Sequence, residues 1–157
     1  MLAKEKPGTL NFGSVGSGSL GHLSGELFRA MAGIRVTQIF YKGAPQVMTS
    51  LIGGEIQVYF VASMATALPQ VKAGALKMLA VSTGKRWPSV PDVPTLAESG
   101  YPGFDMNDWN GLFAAEGVPA PLIQRMQQAV AEACKDAKVR ERLDPSGAEL
   151  VASTPAE

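Results

Sequence analysis

The chain has 157 residues, a single histidine, a single cysteine, and 14 Lys+Arg set against 14 Asp+Glu. With 46% hydrophobic residues it holds enough apolar side chain for one ordinary domain core, which argues against intrinsic disorder and a disulfide-stapled miniprotein. Zero formal charge with scattered cations argues against nucleic-acid binding, and Cys134 has no partner in the chain for an internal disulfide.

In chain order, Thr9-Leu-Asn-Phe12 is a short β-prone run, followed by the Gly/Ser-rich segment 13–21 and an amphipathic helix over 22–32. Leu20, Leu23, Leu27, Phe28 and Met31 recur at spacings of three and four, and Gly33 supplies a helix stop. Residues 35–41 are rich in β-branched and aromatic types and predict a second strand. Residues 44–52 have helical spacing with Pro45 in the first turn, and Gly53-Gly54 closes them. A third strand is expected over 56–61, a third helix over 65–73, and a fourth strand over 77–82. This alternation, with near-continuous apolar strands and short connections, predicts an α/β fold with a largely parallel sheet covered by helices.

The rhythm breaks at 84–104. That segment holds the proline-punctuated run Trp87-Pro-Ser-Val-Pro-Asp-Val-Pro94 and a short helix candidate at 95–99, closed by Gly100-Tyr-Pro-Gly103. Residues 104–115 look extended. Beyond them a helix is expected over 122–135, a shorter one around 139–143, and a short strand over 149–151. The terminal Ser153-Thr-Pro-Ala-Glu157 resembles the opening of a helix with no body after it, so the C-terminus looks cut. No stretch reaches the roughly 18 to 20 apolar residues of a membrane span; residues 56–71 come nearest and are interrupted by Gln57, Ser63, Thr66, Pro69 and Gln70. The first eight residues lack an apolar core followed by small residues, so no secretory signal is expected in this chain.

Gly16-Ser-Gly-Ser-Leu-Gly21 satisfies G-x-G-x-x-G between a strand and a helix. A dinucleotide site would also want an acid at the end of the second strand, and residues 38–42 supply none. A Walker-type loop would want a lysine after Gly18. What remains is a donor-rich, uncharged nest: N–H groups at a helix start with the hydroxyls of Ser14, Ser17 and Ser19, suited to a carboxylate or similar anion. The competing reading is a flexible turn with a serine cap. His22 has Glu26 one turn along and no serine at a G-x-S-x-G elbow, so it is read as structural or ligand-adjacent and no catalytic residue is expected. One Cys, one His and only Asp105 and Asp108 as a carboxylate pair give no metal-ligand set, and no cofactor or metal is expected. Trp109 is singled out because it sits where the first architectural unit ends.

Six ordered motifs then carry a resemblance. They are Gly16-Ser-Gly-Ser-Leu-Gly-His22-Leu-Ser-Gly-Glu-Leu-Phe28, Tyr41-Lys-Gly43, Leu51-Ile-Gly-Gly54, Leu68-Pro-Gln-Val-Lys-Ala-Gly74, Leu79-Ala-Val81 and Pro91-Asp-Val-Pro-Thr-Leu-Ala-Glu-Ser-Gly100. The succession, spanning about 9–155, resembles the Bug family, the TctC-like extracytoplasmic solute receptors of tripartite tricarboxylate transporters.

The resemblance implies a type II periplasmic-binding-protein fold, in which two α/β domains close on a small carboxylate solute and deliver it to a membrane permease. It places 9–104 as the family's second domain, with the ligand loop at 13–21, 105–109 as a crossover or hinge, and 110–157 as part of the first domain. It implies a periplasmic location and a chain lacking the family's N-terminal portion. Ligand-binding positions carried over are Ser14, Gly16, Ser17, Gly18, Ser19 and Ser63, with His22, Tyr41, Lys42, Gly43 and Trp109 adjacent to the cleft. Loss of part of the first domain would expose Leu112, Phe113, Ile123, Met126 and Val130, so a homo-oligomer joined through 110–157 is expected. Two alternatives stay open: an enzyme with a nucleotide cofactor on 16–21, and a remnant that binds no ligand and serves only to oligomerise.

Overall fold

The computed structural model describes residues 2–144 and 148–155. Its elements are α1 (Leu2–Glu5), β1 (Asn11–Val15), α2 (Leu20–Ala32), β2 (Thr37–Tyr41), α3 (Ala44–Ile52), β3 (Val58–Tyr59), α4 (Met64–Lys72), α5 (Ala120–Lys135) and α6 (Ala137–Leu143). The backbone divides into two units, Met1–Asp108 and Trp109–Glu157.

The first unit is α/β. Its three strands are all parallel, in the order β2-β1-β3, with Phe12 paired to Gln38 and to Val58. β1 therefore lies in the middle, and successive β1 residues serve opposite faces. Phe12 faces α2, where the ring occupies the space a Cβ on Gly25 would need. Gly13 faces α3: a Cβ there would meet the Val47 side chain at 2.9 Å and run into Ile56. Helices on both faces follow from the strand order, because right-handed crossovers from β1 to β2 and from β2 back to β3 pass on opposite sides. Phe12, Val47, Ile56 and Phe104 are each no more than 3% exposed and form the core. Phe60 meets Phe12 edge-on with ring centroids 5.7 Å apart and stacks on Phe104 at 6.3 Å.

Three expected elements take another form. Residues 77–82 are extended but pair only through the isolated parallel bridge between Val81 and Thr95, and Leu79 is 67% exposed. A short continuous apolar run becomes sheet only where a neighbour supplies a full ladder, and here one residue finds it. The helix expected over 95–99 is a single capped turn. Glu98 N–H donates to Thr95 Oγ1 (3.0 Å), Thr95 N–H donates to Glu98 Oε2 (2.8 Å), and Gly100 at φ 103° turns the chain away. Residues 149–151 are irregular and form no strand. The third strand is also shorter than the 56–61 expected. The motif at 153–157 runs into residues 156 and 157, which lie outside the described residues.

The second unit contains α5 and α6. Asp136 ends α5 and caps α6, its carboxylate accepting from the N–H groups of Lys138 (2.7 Å) and Val139 (3.3 Å). Gln127 Nε2 donates to the Ala152 carbonyl at 3.1 Å. No described residue of this unit is buried, and Leu112 and Phe113 are 69% and 78% exposed. Among the described residues no helix is long and apolar enough to cross a membrane.

Candidate functional site

The strand order marks the site. In an open parallel sheet, ligands bind beyond the carboxyl ends of the strands where the connections diverge. Here the connection from β1 leads toward β2 while β3 lies on the other side of β1, so the crevice falls between the ends of β1 and β3. Two segments meet there: loop 16–19, leading into α2, and residues 60–63, leading into α4. The first turn of α2 lies close against the second segment, since a Cβ on Gly21 would stand 2.8 Å from the Phe60 carbonyl oxygen.

The loop folds back on itself. Gly16 and Gly18 take φ of 72° and 79°, the left-handed region that lets the chain reverse before the helix. Ser19 is the N-cap of α2; its Oγ accepts from His22 N–H (3.2 Å) and donates to the Gly16 carbonyl (3.1 Å). Gly18 N–H donates to His22 Nδ1 at 3.1 Å, and the imidazole rests edge-on against Phe40 with centroids 5.3 Å apart. Ser17 is exposed, and the N–H groups of Ser17 and Leu20 have no partner among the described residues. On the other side Ser63 is the N-cap of α4 without a side-chain capping bond, which leaves its hydroxyl uncommitted. Two helix starts, two available serine hydroxyls and no charged side chain of the loops themselves give this end of the sheet a neutral, donor-rich character.

Other sequence-derived positions fall elsewhere. Ser14 is fully buried inside β1, and its Oγ accepts from Gln38 Nε2 at 2.7 Å, so its hydroxyl supports the sheet beneath the loop. Gln38 Oε1 is buried with no partner among the described residues. This pair was invisible in the sequence because it depends on the β1–β2 register. Tyr41, Lys42 and Gly43 end β2, the outer strand on the far side of β1 from β3. The Tyr41 ring lies on the α3 face, 3.4 Å from where a Gly13 Cβ would be, and borders an open hollow with Pro45, Gln46 and Thr49. Lys42 is exposed and its N–H donates to Gln46 Oε1 at 3.2 Å, while Gly43 is the N-cap of α3. Trp109 is 72% exposed and opens the second unit, its ring against Phe113 at 6.1 Å. Tyr59, at the end of β3, has its phenol pushed up by burial and stays neutral. Among the described residues no cluster of His, Cys, Asp and Glu is suited to a metal ion.

The same architecture appears in known proteins. The family model described as "Tripartite tricarboxylate transporter family receptor" matches residues 1–156. A UPF0065 protein in the TAR-I ttuE-ttuC' intergenic region of Agrobacterium vitis is 35% identical over 158 residues, covering 99% of this chain and 45% of that protein. An R. palustris protein solved with adipate superposes with a TM-score of 0.85 at 32% identity, over 98% of this chain and 51% of its own. MatC from Rhodopseudomonas palustris, solved with bound malate, superposes with a TM-score of 0.77 at 32% identity, over 91% of this chain and 48% of its own. The chain thus spans about half the length of the relatives it matches. Family members are periplasmic solute-binding proteins, and this chain belongs to the tripartite tricarboxylate transporter receptor family.

Proposed function

We propose that this chain carries a carboxylate-recognising unit of a periplasmic solute receptor, which presents its solute to the membrane permease of a tripartite tricarboxylate-type transporter. The observation that carries the reading is the set of uncommitted, uncharged donors on loop 16–19 and residues 60–63, at the carboxyl ends of β1 and β3. There the Ser17 and Leu20 N–H groups and the Ser17 and Ser63 hydroxyls are free to donate. Gly16 and Gly18 shape that loop and Ser19 braces it. A carboxylate accepts several such bonds at once, and charge-assisted bonds are roughly twice as strong as neutral ones. Recognition of this kind needs no titrating acid or base, in keeping with binding without chemical turnover. Adipate and malate, the molecules bound in two solved relatives, set the size range to test.

Titration calorimetry and thermal shift with adipate, malate, an aromatic carboxylate and NAD test it directly. Binding of one or more carboxylates, weakened about five- to tenfold by Ser17→Ala or Ser63→Ala, is expected, since each removes one bond to a charged group. A shift with NAD alone would favour the nucleotide reading of 16–21, and no shift with any carboxylate at millimolar concentration would favour a non-binding oligomerising unit.

The second unit supports a further part of the reading, a homo-oligomer joined through 110–157. With Trp109, Leu112 and Phe113 at 69% exposure or more and no buried described residue, the unit holds apolar surface that a second copy would cover. Light scattering is expected to show a dimer or larger species that Phe113→Ser weakens; a monomer at high concentration would overturn it.

A further inference from the structure

The bonds that close loop 16–19 pass through one titratable group. Ser19 and His22 form a reciprocal cap in which the N-cap hydroxyl serves the His22 N–H and the His22 ring returns to the chain before the cap, at Gly18 N–H. The usual residue for the returning side chain is Glu or Gln, neither of which changes its acceptor role near neutral pH. Imidazole does. A ring nitrogen that accepts must be unprotonated, so the Gly18 bond requires neutral His22 with its proton on Nε2.

We infer that His22 is a pH-sensitive latch on the ligand loop: neutral, its Nδ1 holds the Gly18 N–H inside the protein; protonated, it gives up that bond and leaves the amide free for an anionic ligand. On protonation Nδ1 gains a hydrogen and becomes a donor, so two donors face each other and the bond is lost. The Gly18 amide then joins those of Ser17 and Leu20, and the imidazolium adds a positive charge beside them. His22 is a positioning residue in the neutral form.

Its surroundings leave the switch to the imidazole. From β2 the ring meets Phe40, which does not titrate, and from the loop it meets Gly18. On α2 the nearest charged group is Glu26, one turn along and paired to Arg29. Lys42 stands exposed two residues beyond Phe40, and from β3 the nearest titratable group is Tyr59, whose phenol burial keeps neutral. Phe40, 51% exposed, leaves one side of the site open to solvent protons.

The consequence for binding rests on the carboxylate reading of the loop, and the test separates the two. Amide NMR of the full chain without ligand follows Gly18 across the His22 titration, alongside His22→Asn and His22→Ala. Asparagine places an oxygen near the Nδ1 position and does not titrate. In the wild type the Gly18 amide is expected to lose its hydrogen-bonded shift and its protection from exchange as His22 protonates. In His22→Asn it keeps both at every pH, and in His22→Ala it lacks both at every pH. A Gly18 amide that ignores His22 protonation overturns the latch.

Calorimetry with adipate and malate over the same range supplies the second readout. The wild type is expected to gain roughly three- to tenfold in affinity relative to His22→Asn on acidification, the comparison cancelling the ligand's own titration. Parallel pH profiles in the two proteins overturn the coupling to ligand. If neither protein binds a carboxylate while Gly18 still follows His22, the binding reading fails and the latch stands.

Discussion

Helices α2 and α5 have similar amphipathic patterns and opposite fates. In the first unit, α2 sets Gly21, Ser24, Gly25 and Ala32 into the interior and packs on Phe12. In the second, α5 is longer, at 16 residues, and buries none. A hydrophobic stripe specifies that a face wants cover, and the sheet formed by distant segments decides whether cover exists. Most helical stability in proteins comes from such packing, since a short isolated helix is marginal in water. The first unit therefore carries the chain's cooperative core, and α5 depends on what its apolar face meets.

The sharpest way to break this contrast is to remove matched apolar groups from the two units. Phe12→Ala is expected to cost about 3–5 kcal/mol, the usual range for a buried aromatic, because Phe12 is 3% exposed and holds both Gly25 and the Phe60 ring. Val130→Ala, at 38% exposure on α5, is expected to stay within about 0.5 kcal/mol in a monomeric sample. Denaturant melts of the two variants check both. A large loss for Val130→Ala would mean that α5 is covered in solution and would tie its stability to protein concentration.

Adding atoms tests the same difference in the other direction. Gly25→Ala places a methyl group in the space held by the Phe12 ring and is expected to destabilise by about 1–3 kcal/mol through overpacking, despite alanine's better helix propensity. At Ala129, exposed on α5, substitution by leucine is expected to change stability by less than about 0.5 kcal/mol. Thermal melts that ranked the two alike would remove the distinction between a packed helix and an unpartnered one.

These residues also show why parts of the molecule were legible in the sequence. The segment from β1 to α3 could be read because its information is local: helical spacing over 20–31, a serine before the helix, glycines at 33 and 53 after each stop. The 77–82 segment was misjudged because strand formation is not local. Its apolar run, Met78 to Val81, is real, yet only Val81 finds a partner, and that partner is Thr95, fourteen residues on. The site divides in the same way. Loop 16–19 is visible in sequence as residue types and Ser63 comes from the family resemblance, whereas the approach of the first turn of α2 to Phe60 at Gly21 is not legible in either. The serine nest was overcounted for a related reason: Ser14 reads like Ser17 in the chain, but it lies within β1 and its hydroxyl is bonded to Gln38. His22 reads in sequence as structural or ligand-adjacent, since nothing in the spacing reveals a bond back to Gly18.

Caps give a smaller and more local test. Ser19→Ala and Asp136→Ala each remove an N-cap, and each is expected to cost about 1 kcal/mol. The consequences should differ. α2 is held by the sheet and should keep its protected amides, whereas α6 is seven residues long with none buried and should exchange its amides faster along its whole length. Hydrogen exchange on the two variants reads this directly, and equal fraying of α2 and α6 would contradict the packing argument.

The smallest effect concerns the capped turn at Thr95, which an isolated bridge joins to Val81. The carboxylate of Glu98 is held below the ordinary glutamate range, first by the Thr95 N–H it accepts and then by Arg86 Nε at 2.9 Å. A depressed folded-state value means the ionised form favours folding: its contribution is complete above the ordinary glutamate value and is lost as pH falls through the lowered one. Glu98 is exposed, so solvent screens the pair and the contribution is small. Glu98→Gln keeps an acceptor for Thr95 N–H but has no charge for Arg86, so its stability should lack this dependence. Melting temperatures of the two proteins are therefore expected to differ slightly near neutrality and to converge as pH falls from the ordinary glutamate value through the lowered one. A difference that stays constant on acidification would show that the charge on Glu98 strengthens neither the Thr95 bond nor the Arg86 pair.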